Sequence, residues 1–265
     1  VNDAPSLKRA NIGIAMGITG TDVSKEVADM ILLDDNFSTI VKAVAEGRRV
    51  YDNILKFIKY LMTTNSSELL VLLLGPLFGL PIALLPIHIL WINLVSDGLP
   101  AISLSFEKAE KDIMNRSPRP SQQGIFAEGR GLHMIWVGLF MAGLTLILQA
   151  WALSRGLHWQ TIVFNIVCLG QMAHILAIRS ESLTIFSSAF FSNKLLTGSV
   201  LLVFLLQVVI TYVPFMQRLF HTEALTINEF LLVCAAASLV FFAVEAEKAI
   251  SVQKKRRLRK TSTVL

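Results

Sequence analysis

Apolar residues come in six long blocks, at 56–78, 84–104, 132–153, 160–178, 196–216 and 227–246, behind roughly fifty residues of mixed character. Each block is close to the ~20 residues a helix needs to cross hydrocarbon. Ahead of them, Asn11 to Gly17 reads as a short buried strand ending in glycine. Thr21 or Asp22 is placed to cap a helix running to about Asp29, with Lys25 and Glu26 exposed. Met30 to Leu33 is a second short apolar run, consistent with a parallel strand. Asp34-Asp35-Asn36 makes a turn or cap, and helical spacing resumes from Phe37 to about Tyr51. The first apolar block then continues that helix, which predicts a long stalk. The pattern predicts a mainly α membrane protein with six transmembrane helices behind a short α/β segment, divided at 1–50, 51–250 and 251–265. Fifty residues with one or two strands cannot bury a full core, so 1–50 is expected to be the tail of a larger domain. With Val1 in place of an initiator Met, the chain is expected to be a fragment.

Two of the blocks are interrupted by polar residues at helical spacing. Asn65 and Glu68 are three apart, and Asn93 lies three and four residues before Ser96 and Asp97, so each set shares a helix face. Ionisable groups inside hydrocarbon are costly and usually face a partner, a cavity or an ion. The bland reading is an interhelical hydrogen bond or a neutral carboxyl held for packing. The sharper one is an ion site: oxygen-only ligands suit a hard cation, and calcium takes ~6–8 of them. These five residues offer part of such a set. Gln171 in the fourth block could add a neutral oxygen or make a helix–helix hydrogen bond. His174 reads as a packing or interfacial histidine, and Asn165 as structural. Glu245, Glu247 and Lys248 read as solvated residues at the end of the last block. Gly98 and Pro100 are expected to loosen the second helix just past Asp97, freeing carbonyls there. Gly75-Pro76 and Gly79-Leu80-Pro81 mark the tight turn between the first two blocks.

Composition agrees with the membrane assignment: of 265 residues 54% are hydrophobic, and mean hydropathy is +0.60. The net charge of +5 is concentrated in the Lys254 to Lys260 run, KKRRLRK. That is a local feature, not a nucleic-acid-binding face. The run serves as a topology-setting anchor or touches anionic lipid. Lys108, Lys111, Arg116, Arg119 and Arg130 fill the 105–131 loop, with Arg179 and Lys194 in the 179–195 loop. The opposite connections carry only Arg155 and Arg218. The positive-inside rule therefore puts both termini in the cytosol. Cys168 and Cys234 both lie in apolar runs and are expected to pack, not to pair. No Walker lysine loop, Gly-x-Gly-x-x-Gly, His-Glu-x-x-His or Ser-x-x-Lys pattern occurs.

Several motifs together resemble a known family. Val1-Asn2-Asp3-Ala4-Pro5 resembles the second half of the Gly-Asp-Gly-Val-Asn-Asp-Ala-Pro motif of P-type ATPases. Ile12-Gly13-Ile14-Ala15-Met16-Gly17, Ala28-Asp29-Met30 and Leu33 to Ile40 continue the likeness. Glu46-Gly47-Arg48 and Tyr51-Asp52-Asn53-Ile54 resemble the run into the fifth membrane helix. Trp91 to Ala101 (WINLVSDGLPA) is similar to the sixth helix of calcium pumps of the sarcoplasmic reticulum type. The resemblance implies the end of a HAD-like phosphorylation domain followed by transmembrane helices five to ten. It implies that Asn65, Glu68, Asn93, Ser96 and Asp97 ligate calcium, with Gln171 where the two-site pumps carry a glutamate. It implies that Asn2 and Asp3 support a phosphate and magnesium site.

The expected function is thus the membrane part of an ATP-driven calcium exporter, working through an aspartyl-phosphate intermediate with proton countertransport. Helices one to four, the actuator and nucleotide domains, ATP and Mg2+ would belong to the rest of the protein. This piece alone should be inactive. A manganese or sodium pump, or a non-catalytic membrane subunit, are the alternatives. Membrane lipid is the expected surrounding, and compact loops without a eukaryotic retention signal fit a bacterial plasma membrane.

Overall fold

In the computed structural model, residues 2–110, 112–120, 122–180 and 192–262 are described, with side chains to 253. The expected contribution of the Lys254 to Lys260 side chains lies outside them. The chain divides into two compact units, residues 1–51 with 111–116, and residues 52–110 with 117–265.

The first unit is built on a two-stranded parallel sheet. β1 (Ile14–Met16) pairs with β2 (Met30–Leu32), with Ile14 opposite Met30. α1 (Ala4–Arg9) precedes β1, where the sequence suggested only a turn; Pro5 in its first turn presets the helical φ. α2 (Asp22–Val27) crosses over between the strands and is capped by Thr21, whose side chain accepts from the Ser24 amide. Gly20 has no alternative, because a Cβ there would meet the Met16 carbonyl oxygen at 2.1 Å. The loops are held by carboxylates. Asp29 Oδ2 accepts from the Gly13 amide at 2.8 Å. Asp35 accepts from the Ile18 and Thr19 amides at 2.9 and 2.8 Å and from the Thr19 hydroxyl at 2.7 Å. Arg48 Nη1 donates to the carbonyls of Ile113 and Arg116, both at 2.8 Å, drawing in the short 3₁₀ turn Ile113–Asn115. Ala15, Leu32 and Ile113 are its buried apolar side chains, whereas Ile12, Leu33 and Phe37 are exposed.

α3 (Ser38–Leu77) is a single 40-residue helix that begins in the first unit and ends in the second. Its end is closed by Gly79 in the left-handed region (φ 74°), with Leu80 N donating back to Gly75 O at 2.9 Å. The second unit is otherwise a helical bundle. α4 (Pro86–Trp91), a π-helical turn (Ile92–Ser96) and α5 (Gly98–Leu104) form one interrupted helix. α6 (Arg130–Ser154), α7 (Trp159–Ile178), α8 (Lys194–Tyr212), α9 (Pro214–Phe220) and α10 (Ile227–Ser262) follow.

Among the described residues, five helical stretches are long and apolar enough to cross a membrane: Pro86–Leu104, Arg130–Ser154, Trp159–Ile178, Lys194–Tyr212 and Ile227–Gln253. They correspond to the last five of the six expected blocks. The first block falls within α3, where Asn65, Ser66, Ser67 and Glu68 interrupt the apolar run. The fifth block was drawn too long, to 216. Pro214 has no N–H and pushes Val213 to extended geometry (φ −87°, ψ 122°), so α8 stops at Tyr212. α10 continues past 246, because the change there is in polarity and no Gly or Pro ends the helix.

α7 is the central post, buried without a break from Thr161 to Met172. A polar belt ties one end of this unit together. Asn53 Nδ2 donates to the carbonyls of Ser105 and Glu107 at 3.1 and 2.8 Å. Arg179 and Asn193 both donate to the Glu107 carboxylate, at 3.2 and 3.0 Å. Such a buried ion pair is stable only because each group finds several partners. Lys248, expected to be solvated, instead donates to the carbonyls of Ala177 and Ser180 and pairs with Glu245.

The three donors to Asp35 hold its carboxyl below the ordinary 3.8, the Ile18 amide first among them. A group with a depressed folded pKa stabilises the fold above its unfolded value, and that support is lost as pH falls through the folded value. The Gly17–Gly20 loop should therefore be held at neutral pH and loosen below about pH 4. Asp35→Asn keeps the left-handed backbone (φ 48°) accessible but removes an acceptor. It should lower hydrogen-exchange protection of the Ile18 and Thr19 amides at pH 7.

Candidate intramembrane cation site

Three residues of α3 at four-residue spacing, Tyr60, Thr64 and Glu68, present one face to the interrupted helix. Tyr60 Oη donates to Asp97 Oδ1 and Thr64 Oγ1 to Asp97 Oδ2, both at 2.8 Å. Glu68 Oε1 accepts from Gln171 Nε2 of α7 at 2.6 Å, and Glu68 Oε2 accepts from Asn93 Nδ2 at 3.2 Å. Asp97, Ser96, Gln171, Tyr60 and Thr64 are 0% exposed and Glu68 is 5% exposed. Both carboxylates are buried within the bundle. All four of their oxygens thus have hydrogen-bond donors.

The wide turn is what aims this helix. Asp97 N bonds to Ile92 O at 2.8 Å, a π-type bond, and Ala101 N returns to Asp97 O at 2.9 Å. Pro100 lacks the N–H that would bond to Ser96 O, so the α-ladder cannot pass through this point. The loosening expected past Asp97 therefore lies before it, at Ile92–Ser96, and α5 resumes directly at Gly98. The π-turn places Asn93, Ser96 and Asp97 on a bulged segment instead of a regular face.

Two oxygens in this cluster are unsatisfied. Ser96 Oγ and Gln171 Oε1 are buried with no hydrogen-bond partner among the described residues. The Cys168 thiol, a weak donor, stands beside Ser96. A buried polar atom without a partner costs about 1–3 kcal/mol. Two such oxygens beside two carboxylates make a set of hard donors with unused capacity, suited to a hard cation. No three His, Cys, Asp or Glu converge on a metal centre among the described residues.

The sequence-predicted residues are thus partly united. Glu68, Asn93 and Gln171 form one hydrogen-bonded group, and Asp97 forms another with Tyr60 and Thr64. Asn93 is exposed, and Asn65 is half-buried and hydrogen-bonded to none of them among the described residues. Asn2 and Asp3 lie in the first unit, both exposed, and Asp3 makes no capping hydrogen bond to α1. Tyr60 and Thr64 were missed by sequence reasoning. Their signal was available as the four-residue ladder leading to Glu68. Asn165 is structural as expected, its amide donating to Thr161 O and Thr211 Oγ1 at 2.9 and 3.1 Å. Cys168 and Cys234 are free thiols, the first buried and the second half-buried.

Apolar helices enclosing a buried, acidic, oxygen-rich cluster define an integral membrane protein with a polar site inside its bundle. Residues 81–250 match the family model described as cation transporting ATPase, C-terminus, and the chain belongs to that family. It is 43% identical over 246 residues to a calcium-transporting ATPase of Bacillus subtilis, covering 91% of this chain and 28% of that protein. It is 42% identical over 248 residues to calcium-transporting ATPase 1 of Bacillus cereus (86% and 28% covered). It is 36% identical over 252 residues to calcium-transporting ATPase type 2C member 2 of Rattus norvegicus (94% and 27% covered). The chain thus spans a little over a quarter of the length of these relatives.

Thr64→Val keeps the side-chain shape but leaves Asp97 Oδ2 without its donor. The loss should be about 1–3 kcal/mol of stability, read from thermal unfolding in detergent, with Thr64→Ser close to the parent.

Proposed function

We propose that this chain is the membrane-embedded part of an ATP-driven calcium exporter, and that Glu68 and Asp97 are the charged ligands of its transport site. The observation that carries this is the buried pair of carboxylates flanked by the unpartnered oxygens of Gln171 and Ser96, in a chain similar to calcium-transporting ATPases. Asn93 and Asn65 supply further amide oxygens, and the set approaches the ~6–8 that calcium takes. Cation entry displaces the amide donors now on Glu68: Gln171 turns its oxygen inward, and Asn93 does the same. When the cation leaves, Glu68 and Asp97 take up protons, which gives proton countertransport.

Energy comes from ATP through an aspartyl phosphate formed outside this chain, whose sequence holds no Asp-Lys-Thr-Gly-Thr. Actuator and nucleotide domains and four further membrane helices belong to the remainder of the protein. Asn2 and Asp3 support the magnesium and phosphate site, but two exposed side chains are too few for Mg2+ alone, which wants near-octahedral oxygens. α3 supplies the sixth membrane crossing of this chain, and its continuity carries movement between phosphorylation and transport. Lipid covers the outward apolar residues of the bundle, among them Leu69, Leu73, Leu132 and Ile135, which are exposed. Lys108, Arg116, Arg119 and Arg130 put the 105–131 loop, and with it both termini, on the cytosolic side. A bacterial plasma membrane is the proposed location.

In the full-length protein, Glu68→Gln and Asp97→Asn should each weaken calcium-dependent phosphorylation from ATP by roughly ten- to a hundredfold in apparent affinity. Calcium-dependent phosphorylation and transport left intact in both would remove the site assignment. Isotope uptake with calcium, manganese and sodium in competition identifies the ion. Raising proton concentration on the release side should speed uptake by vesicles at clamped voltage, because protons there replace the departing cation, and indifference to that pH would remove the countertransport step.

A further inference from the structure

Behind the site, on the far side of Tyr60, lies a second buried polar array that cation binding does not use. Glu247 Oε2 of α10 is 2.5 Å from His133 Nδ1 of α6. His133 Nε2 is 3.1 Å from His174 Nε2 of α7. The two imidazoles lie nearly in line, planes 22° apart and centroids 5.4 Å apart, as an N–H···N bond requires, and His174 stacks on the Tyr60 ring, centroids 5.7 Å apart and planes 24° from parallel. His133, His174 and Tyr60 are at most 1% exposed, and the Glu247 side chain is 30% exposed. Trp136 stands edge-on to His133, and Lys59 of α3 is the cation whose charge acts on both histidines and on Glu247. Glu247, read from the sequence as solvated, is instead bonded to a buried histidine, and His174, read as a packing or interfacial histidine, is packed and fully buried.

The hydrogen bonds assign the rings. The Glu247 carboxylate accepts from His133 Nδ1–H, which leaves His133 Nε2 to accept from His174 Nε2–H. His174 Nδ1 then carries a lone pair, and it is buried without a partner. That orphan atom is a cost of holding His174 in this orientation, and the orientation is the one that presents its face to Tyr60. An offset aromatic stack fixes the plane of the ring it covers. The Tyr60 hydroxyl makes one of the two hydrogen bonds that set the Asp97 carboxylate, Thr64 making the other.

We propose that Glu247, His133 and His174 form a brace that holds Tyr60 in the geometry from which it donates to Asp97, so that His174 is a positioning residue for the cation site. This rests on the reading of Asp97 as a cation ligand. The brace runs through α10, α6, α7 and α3 before it reaches the interrupted helix. Movement of α10 against α6 would therefore be felt at the site as a change in the Asp97 carboxylate.

The test is the calcium dependence of phosphorylation in the full-length pump, with Asp97→Asn alongside. Tyr60→Phe, which keeps the stack and loses the hydroxyl, should weaken apparent calcium affinity by roughly tenfold. His174→Ala should weaken it several-fold, and His174→Phe, which restores a stacking ring, should return it to within about twofold of the parent. In the Tyr60→Phe background His174→Ala should add less than about twofold, because the hydroxyl it positions is gone. Glu247→Ala, at the half-exposed end and so the safest for folding, should weaken affinity in the parent and not in Tyr60→Phe. Affinity losses that multiply in the double variants, His174→Phe as weak as His174→Ala, or no affinity change in Glu247→Ala would overturn the brace. Unaltered calcium dependence in Asp97→Asn would instead overturn the ligand assignment beneath it.

Discussion

The constraint on which the second unit depends is the burial of Asp97. A carboxylate taken from water into an apolar bundle is tolerated only when its oxygens are met by donors. Tyr60 and Thr64 meet both oxygens, and both stand on α3. The register between α3 and the interrupted helix is therefore fixed by two hydrogen bonds, not by apolar contacts alone. A slide of one turn along α3 would take both donors past Asp97. Gly138 of α6 packs against the same stretch of α3, a Cβ there lying in ordinary contact 3.4 Å from Thr63 O. Gln171 and Asn93 do for Glu68 what the hydroxyls do for Asp97, and they bring α7 into the same network.

The π-turn follows from the same requirement. A regular α-helix through Asn93, Ser96 and Asp97 would spread these side chains around an arc of the cylinder. The wider turn, with Pro100 withholding a donor from the Ser96 carbonyl, bulges the backbone toward α3 and α7 at the polar residues. Such single π-turns concentrate at functional sites because the weakened ladder costs stability that packing alone would not demand. The bulge carries one orphan oxygen, Ser96 Oγ, and leads into one buried carboxylate, Asp97, while the others, Gln171 Oε1 and Glu68, stand on α7 and α3.

Much of this was legible in the sequence, and the reasons for the rest are physical. Block lengths gave the last five apolar helices, and polar interruptions marked Glu68 and Asp97 as buried groups in need of partners, because burial in an apolar bundle leaves a compositional mark. The parallel strands at Ile14 and Met30 were readable from short apolar runs between turns. Three features were not read. Tyr60 and Thr64 are ordinary at the edge of an apolar helix, and only their spacing to Glu68 carries information. The position of the helix break depended on which carbonyl loses its donor, not on where Gly and Pro stand. Glu247 and His133 are separated by more than a hundred residues, and no local pattern pairs a charge near one helix end with a histidine at the start of another.

Charge counting sharpens the proposed reading. In a medium of low dielectric an uncompensated charge is more costly than any of the hydrogen bonds described above. Two carboxylates carry −2, and one divalent cation makes the site neutral. Two protons do the same when the cation departs. A neutral Gln171 fits this balance, because a third carboxylate at 2.6 Å from Glu68 would leave a charge unmatched by a single calcium ion. Its amide has a second use: the nitrogen donates to Glu68 when no cation is present, and the oxygen can be offered when one is. A glutamate could do this only by taking up a third proton. On this reading Gln171 reduces the number of charges that must be exchanged in each cycle to two, the number that one divalent ion can replace.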